Sequence, residues 1–158
     1  STCISLIQQF PDRTYLVEQV MPVVAEEWSH FRMVVAELKK RNLKLGRQRR
    51  DEYVRKLSEF VQKGGDEEGR LTDKLLFSAL IEARSCERFK VFSENMQDEE
   101  LSKFYKELMI SEANHYTLFL GYARKYMDRE IVDKKWESLL KFEADMMKTR
   151  GNTAKVHG

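Results

Sequence analysis

Two short patterns in this chain have the residue types and spacing of a metal site. Glu27-Trp28-Ser29-His30 and Glu112-Ala113-Asn114-His115 each place a glutamate three positions before a histidine. On a helix those two side chains project from one face. The chain has only three histidines, so two of the three sit in this pattern. Carboxylate oxygens with two imidazoles suit iron or manganese and admit zinc. One helix cannot surround an ion. The ligand plan of a dinuclear carboxylate site is a lone Glu and a Glu-x-x-His, given twice by the helices of a four-helix bundle.

The second half of that plan is complete in the sequence. Glu82 lies among Leu76, Ala79, Leu80 and Ala83 and precedes Glu112 by 30 positions, as the two arms of a helical hairpin require. Glu87 is its rival, next to Arg88. The first half lacks its lone glutamate. The same spacing puts it 30 positions before Glu27, at position −3, and residues 1–9 hold no carboxylate. A first helix cut short at its N-terminus is therefore expected. For either Glu-x-x-His taken alone, a surface ion pair is the simpler reading.

The elements that must carry these residues are helices. Hydrophobic residues make up 42% and charged residues 34%, with only 7 Gly and 2 Pro, too few turn formers for a strand-rich fold. The chain's 158 residues suit a single domain, 1–158, with its own core. The expected fold is all-α, a four-helix bundle with additional short helices. Residues 1–9 read as the end of a helix stopped by Phe10-Pro11. A second helix runs to about residue 43, capped by Asp12 or Thr14 and kinked or started by Pro22. Gly46 is the expected break, followed by a short helix from Asp51 to about Gln62. After the loop 63–69, a helix from about Leu71 to Asn95, capped by Thr72, carries Glu82. The next spans about Asp98 to Met127. Asp128 caps the last, which ends near Lys148.

Cys3 and Cys86 are too far apart for a zinc knuckle or a disulfide framework, and reduced thiols are expected. The longest apolar run, Val20 to Ala25, is too short to span a membrane, so no membrane role is expected. Phe89, Tyr105, Met109 and Tyr116 are candidates for a substrate channel, although aromatic and methionine stripes are more often core. Nine Lys/Arg against two acids lie between Lys39 and Lys56, in a chain whose net charge is +2. Such a run is by default a solvated surface, and otherwise a nucleic-acid contact.

Glu27-Trp28-Ser29-His30-Phe31, Glu82-Ala83-Arg84-Ser85-Cys86-Glu87-Arg88-Phe89 and Ser111-Glu112-Ala113-Asn114-His115-Tyr116, with Pro11-Asp12-Arg13, closely resemble the MiaE-type tRNA hydroxylases. The resemblance covers essentially the whole chain. It implies a ferritin-like di-iron enzyme that hydroxylates the isopentenyl group of 2-methylthio-isopentenyl-adenosine next to the anticodon of tRNA. It implies two iron ions, one on Glu27 and His30, the other on Glu112 and His115, with Glu82 bridging or supporting. O2 and an external electron donor are the implied co-substrates, and a reductase and the tRNA anticodon loop the implied partners. Lys39, Lys40, Arg41, Lys44, Arg47, Arg49 and Arg50 would then track tRNA phosphates, in the cytoplasm of a bacterium. Two other classes stay open: a ferritin-like iron-storage or peroxide-scavenging protein, and a metal-free helical interaction module. Oligomeric state is left open.

Overall fold

The computed structural model describes residues 2–47 and 51–151, with the side chains of 149–151 excepted. It contains six α-helices and, among the described residues, no strand. They are α1 (Thr2–Gln9), α2 (Thr14–Lys40), α3 (Glu52–Leu57), α4 (Glu67–Asn95), α5 (Glu99–Tyr126) and α6 (Arg129–Gly151), with a 3-10 turn at Ser58–Phe60 after α3.

The helix ends have local causes. Asp66 opens α4 by accepting a hydrogen bond from the Gly69 amide at 2.6 Å, and Glu67 and Glu68 fill the acidic first turn. The helix therefore starts a turn earlier than the expected Leu71. Thr72 is not its cap. It is fully buried inside the helix, and its hydroxyl has no partner. Asp51, Asp98 and Asp128 accept amide hydrogen bonds at the starts of α3, α5 and α6. Neither Asp12 nor Thr14 caps α2. Arg13 occupies that position without a side-chain cap, and the helix runs unbroken through Pro22. The end of α2 is set by Asn42 rather than Gly46. Asn42 takes φ 56°, its amide reaches the Lys39 carbonyl and the Leu43 amide reaches Leu38. That is a Schellman ending, in which asparagine tolerates the left-handed conformation.

The apolar core lies at one end of the bundle. Leu6 of α1, Leu16 and Val20 of α2, Leu71, Leu75 and Leu76 of α4, Phe119 of α5 and Leu139 of α6 are all almost fully buried there. Each such side chain contributes roughly 1.5–3 kcal/mol on burial. Toward the other end α2, α4 and α5 become amphipathic and then polar. Trp28 and Phe31 stack on the outer side of α2 with ring centroids 5.5 Å apart. Phe89, Phe92 and Phe104 surround Tyr105 where α4 and α5 near their connection. The two Glu-x-x-His segments sit between the apolar end and this looser one.

Candidate metal centre

Glu82 follows Leu75 and Ala79 on the inward stripe of α4, at the i, i+4, i+7 spacing of a helix face. It is 4% exposed, and Glu112 and His115 of α5 are 7% and 3% exposed. Glu27 reaches them from α2. One ligand atom from each of Glu27, Glu82, Glu112 and His115 lies within 4.8 Å of the others. Glu87 is on the solvent side, hydrogen-bonded to Arg84. His30 is not part of that tight group. Its ring stands 6.3 Å from the ring of His115.

Three carboxylates this close repel one another. Burial pushes the Glu82 carboxyl up to about 10, helped by its hydrogen bond to Glu112 and by the charges of Glu112 and Glu27. Burial, and then the Glu112 charge, raise Glu27 as well, against the opposing pull of the two histidines. No arginine or lysine is among the charges that shift either group. The cluster is short of positive charge in the way a cation site is before its cation arrives.

The histidines carry a second sign. Nδ1 of His30 and Nδ1 of His115 are both buried without a hydrogen-bond partner. Nε2 of His115 lies 3.0 Å from a carboxylate oxygen of Glu26. That carboxylate also accepts a hydrogen bond from the Ser111 hydroxyl at 3.2 Å. A carboxylate accepts but does not donate, so Nε2 donates to Glu26, and Nδ1 is left on the side of Glu27, 4.0 Å away. A metal-binding histidine is commonly held in this way. Glu26 is a residue of the candidate site that the spacing argument misses. It has no histidine at the matching interval, and only the folded arrangement brings it to one. Three carboxylates, an oriented imidazole and imidazole nitrogens without hydrogen-bond partners fit a hard-to-borderline divalent cation such as ferrous iron.

The other candidate residues divide. Tyr116 turns toward α6, where its ring lies 6.0 Å from that of Trp136. Phe89 and Tyr105 stack on each other at 5.9 Å, and Met109 is half-buried on α5. Lys40 pairs with Glu37 and Glu100, and Arg41 with Glu37 and Asp98, so these two cations clamp α2 to the start of α5. Lys39, Lys44 and Arg47 are exposed. Arg49 and Arg50 lie outside the described residues. No described helix is long and apolar enough to cross a membrane.

With this geometry in place, the chain can be compared with known proteins. A family model described as tRNA-(MS2IO6A)-hydroxylase (MiaE) matches residues 1–158. The tRNA 2-(methylsulfanyl)-N(6)-isopentenyladenosine(37) hydroxylase of Pseudomonas putida is 31% identical over 157 residues, which cover 99% of this chain and 75% of that one. The protein of the same name from Salmonella typhimurium is 30% identical over 142 residues, 90% of this chain and 51% of that one. The chain thus spans three quarters of one relative and about half of the other. A solved structure, protein 43 with aldehyde deformylating oxygenase activity from Synechococcus, superimposes with a TM-score of 0.85 at 30% identity, over 91% of this chain and 71% of that one. The expected ferritin-like all-α bundle is the fold observed. On these findings the chain belongs to the MiaE family of tRNA hydroxylases, enzymes built on a ferritin-like helical fold.

Proposed function

We propose that the centre on α2, α4 and α5 holds two iron ions and that the chain hydroxylates the isopentenyl group of 2-methylthio-N6-isopentenyladenosine beside the tRNA anticodon. The observation that carries this reading is the close group of half-buried Glu27 with buried Glu82, Glu112 and His115, in which no lysine or arginine shifts Glu27 or Glu82 and Nδ1 of His115 has no hydrogen-bond partner. The family and the names of both curated relatives support the substrate.

Glu27 and His30 would serve one ion and Glu112 and His115 the other, with Glu82 between them. Bound iron supplies the activation of dioxygen, which no side chain can perform. The chain's own residues do the rest. Glu26 fixes the tautomer of His115. The apolar stripe of Leu75, Leu76, Ala79 and Leu80 closes one end of the site against water. The target base lies in a loop and is already unpaired, so less energy is spent exposing it than in a duplex. Exposed Lys39, Lys44 and Arg47 would meet tRNA phosphates, and a separate reductase would deliver the two electrons.

The test is iron per chain after anaerobic reconstitution with ferrous salt, followed by mass analysis of tRNA nucleosides after exposure to oxygen and reductant. Bound iron that is lost in Glu112→Ala, with one oxygen added to the prenylated nucleoside by the unsubstituted chain alone, is the expected result. An iron content near zero, or equal in Glu112→Ala, overturns it. The Synechococcus protein shows the same scaffold under another named activity. The choice of substrate therefore rests on the walls around the centre rather than on the bundle.

A further inference from the structure

Behind the metal-ligand face, α4, α5 and α6 enclose a groove of about 680 Å³. Its walls include Ala83, Cys86, Ala113, Tyr116, Trp136 and Leu140. Its volume falls within the ~300–1,000 Å³ typical of small-molecule sites. Arg84 and Glu87 also line a neighbouring depression of about 810 Å³, together with Arg88 and Glu143, so the groove continues into a second one whose walls carry charged side chains of both signs.

Three features relate this groove to the centre. Ala83 and Ala113 directly follow the ligands Glu82 and Glu112, so the wall nearest the ligand-bearing faces is made of methyl groups. Cys86 is one helical turn beyond Glu82 and shares its stripe. Tyr116 and Trp136 are half-buried, with rings inclined at 39°. Half-buried rings beside a cavity are the surface on which an unpaired base stacks.

We propose that this groove seats the prenylated purine, with the base against Trp136 and Tyr116 and its branched tail passing Ala83, Cys86 and Ala113 toward Glu82 and Glu112. The inference rests on the hydroxylase reading above. Aromatic rings take the flat base, short side chains give the tail a passage, and Arg88 lines the depression at the end where the ribose and phosphates emerge. Trp136, Cys86 and Ala83 thereby become specificity-determining residues.

The chain has two tryptophans, which makes the proposal readable by fluorescence. Trp28→Phe leaves Trp136 as the sole indole. Iron-loaded, oxygen-free Trp28→Phe is titrated with N6-isopentenyladenosine and, separately, with adenosine. Quenching by the prenylated nucleoside at concentrations at least ~10-fold lower than by adenosine is expected. Cys86→Phe on the same background fills the groove. It should abolish that quenching and tRNA hydroxylation while iron per chain stays unchanged. The groove assignment is overturned if the prenylated nucleoside leaves Trp136 emission unchanged, or if Cys86→Phe hydroxylates tRNA like its parent. In both cases continued oxidation of tRNA by the unsubstituted chain leaves the proposed function standing. If the unsubstituted chain leaves tRNA nucleosides unaltered, both readings fall together.

Discussion

Glu143 and Glu82 are both nearly inaccessible carboxylates, at 5% and 4% exposure, yet the protein treats them in opposite ways. Glu143 of α6 accepts two hydrogen bonds from Arg84, at 2.8 and 2.6 Å, and one from the Tyr53 hydroxyl at 2.6 Å. Burial alone would raise its carboxyl, but these hydrogen bonds and the guanidinium charge hold it below the usual carboxylate value. Burial and the neighbouring carboxylate conversely push the Tyr53 hydroxyl far up, so it stays a donor. Glu82 lies only two positions before Arg84 in α4 and points the other way around the helix, into a group of acids. A carboxylate buried to join helices is given its own cation. Carboxylates buried together without one leave their negative charge uncompensated by the protein.

The largest way to break this comparison is to turn Glu143 into the other kind. Arg84→Met strips its counter-charge. Arg84 is about one third exposed, so the loss should fall near the lower end of the ~3–5 kcal/mol known for buried pairs. Adding Glu143→Leu should recover most of it. Urea unfolding of the two variants checks this, and equal stability for both would mean that the pair is idle.

A smaller effect is expected at the metal side. Glu26→Ala removes the acceptor that holds the His115 tautomer. Iron affinity should drop by ~10-fold, the lower end for an outer partner of a ligand, because Glu26 is more than half exposed. Iron titration should show that loss while the unfolding midpoint of the metal-free chain stays put.

The third expectation has the opposite sign to the first. In the metal-free chain Glu82 is raised from 4.5 to about 10. Between those values the folded state holds a proton that the unfolded state has released. Stability from this group is thus present at low pH and declines as pH rises. Glu82→Gln carries no such proton. It should flatten the fall in melting temperature between pH 5 and pH 8 and melt higher at pH 8, by ~2–4 °C for each kcal/mol relieved. It should also bind iron poorly. A wild-type melting temperature that rises across that range would contradict the uncompensated cluster.

The smallest effect sorts the cations in the same manner. Lys40 and Arg41 have carboxylate partners, whereas Lys39, Lys44 and Arg47 are exposed. Replacing those three by Ala should reduce the salt dependence of tRNA binding by ~2 in the log–log slope. Filter binding across a salt series would show it. An unchanged slope would make the basic run a solvated surface.

Much of the centre was legible because a helix converts sequence interval into direction. Glu27, Glu112 and His115 follow from two Glu-x-x-His intervals, and Glu82 from its apolar neighbours and its place 30 positions before Glu112. Helix starts at Asp98 and Asp128 were equally readable, since an aspartate cap is a local interaction. Other features were not. Asp66 started α4 ahead of Thr72, and the α2 stop passed from Gly46 to Asn42, because several residues of each loop were competent and the path of the chain chose among them. Glu26, and the bond from Arg84 to Glu143 across 59 positions, depend on which helices become neighbours.

By itself, then, the sequence determined six helices' worth of periodicity, the acids and imidazoles on their inner faces, and the family. These are short-range properties, fixed within a few turns of backbone. Only the tertiary structure decided that Glu26 holds His115, that His30 stands at the edge of the cluster, and that a groove opens behind Cys86. Each depends on the rotation and separation of packed helices, which no interval along one chain segment encodes.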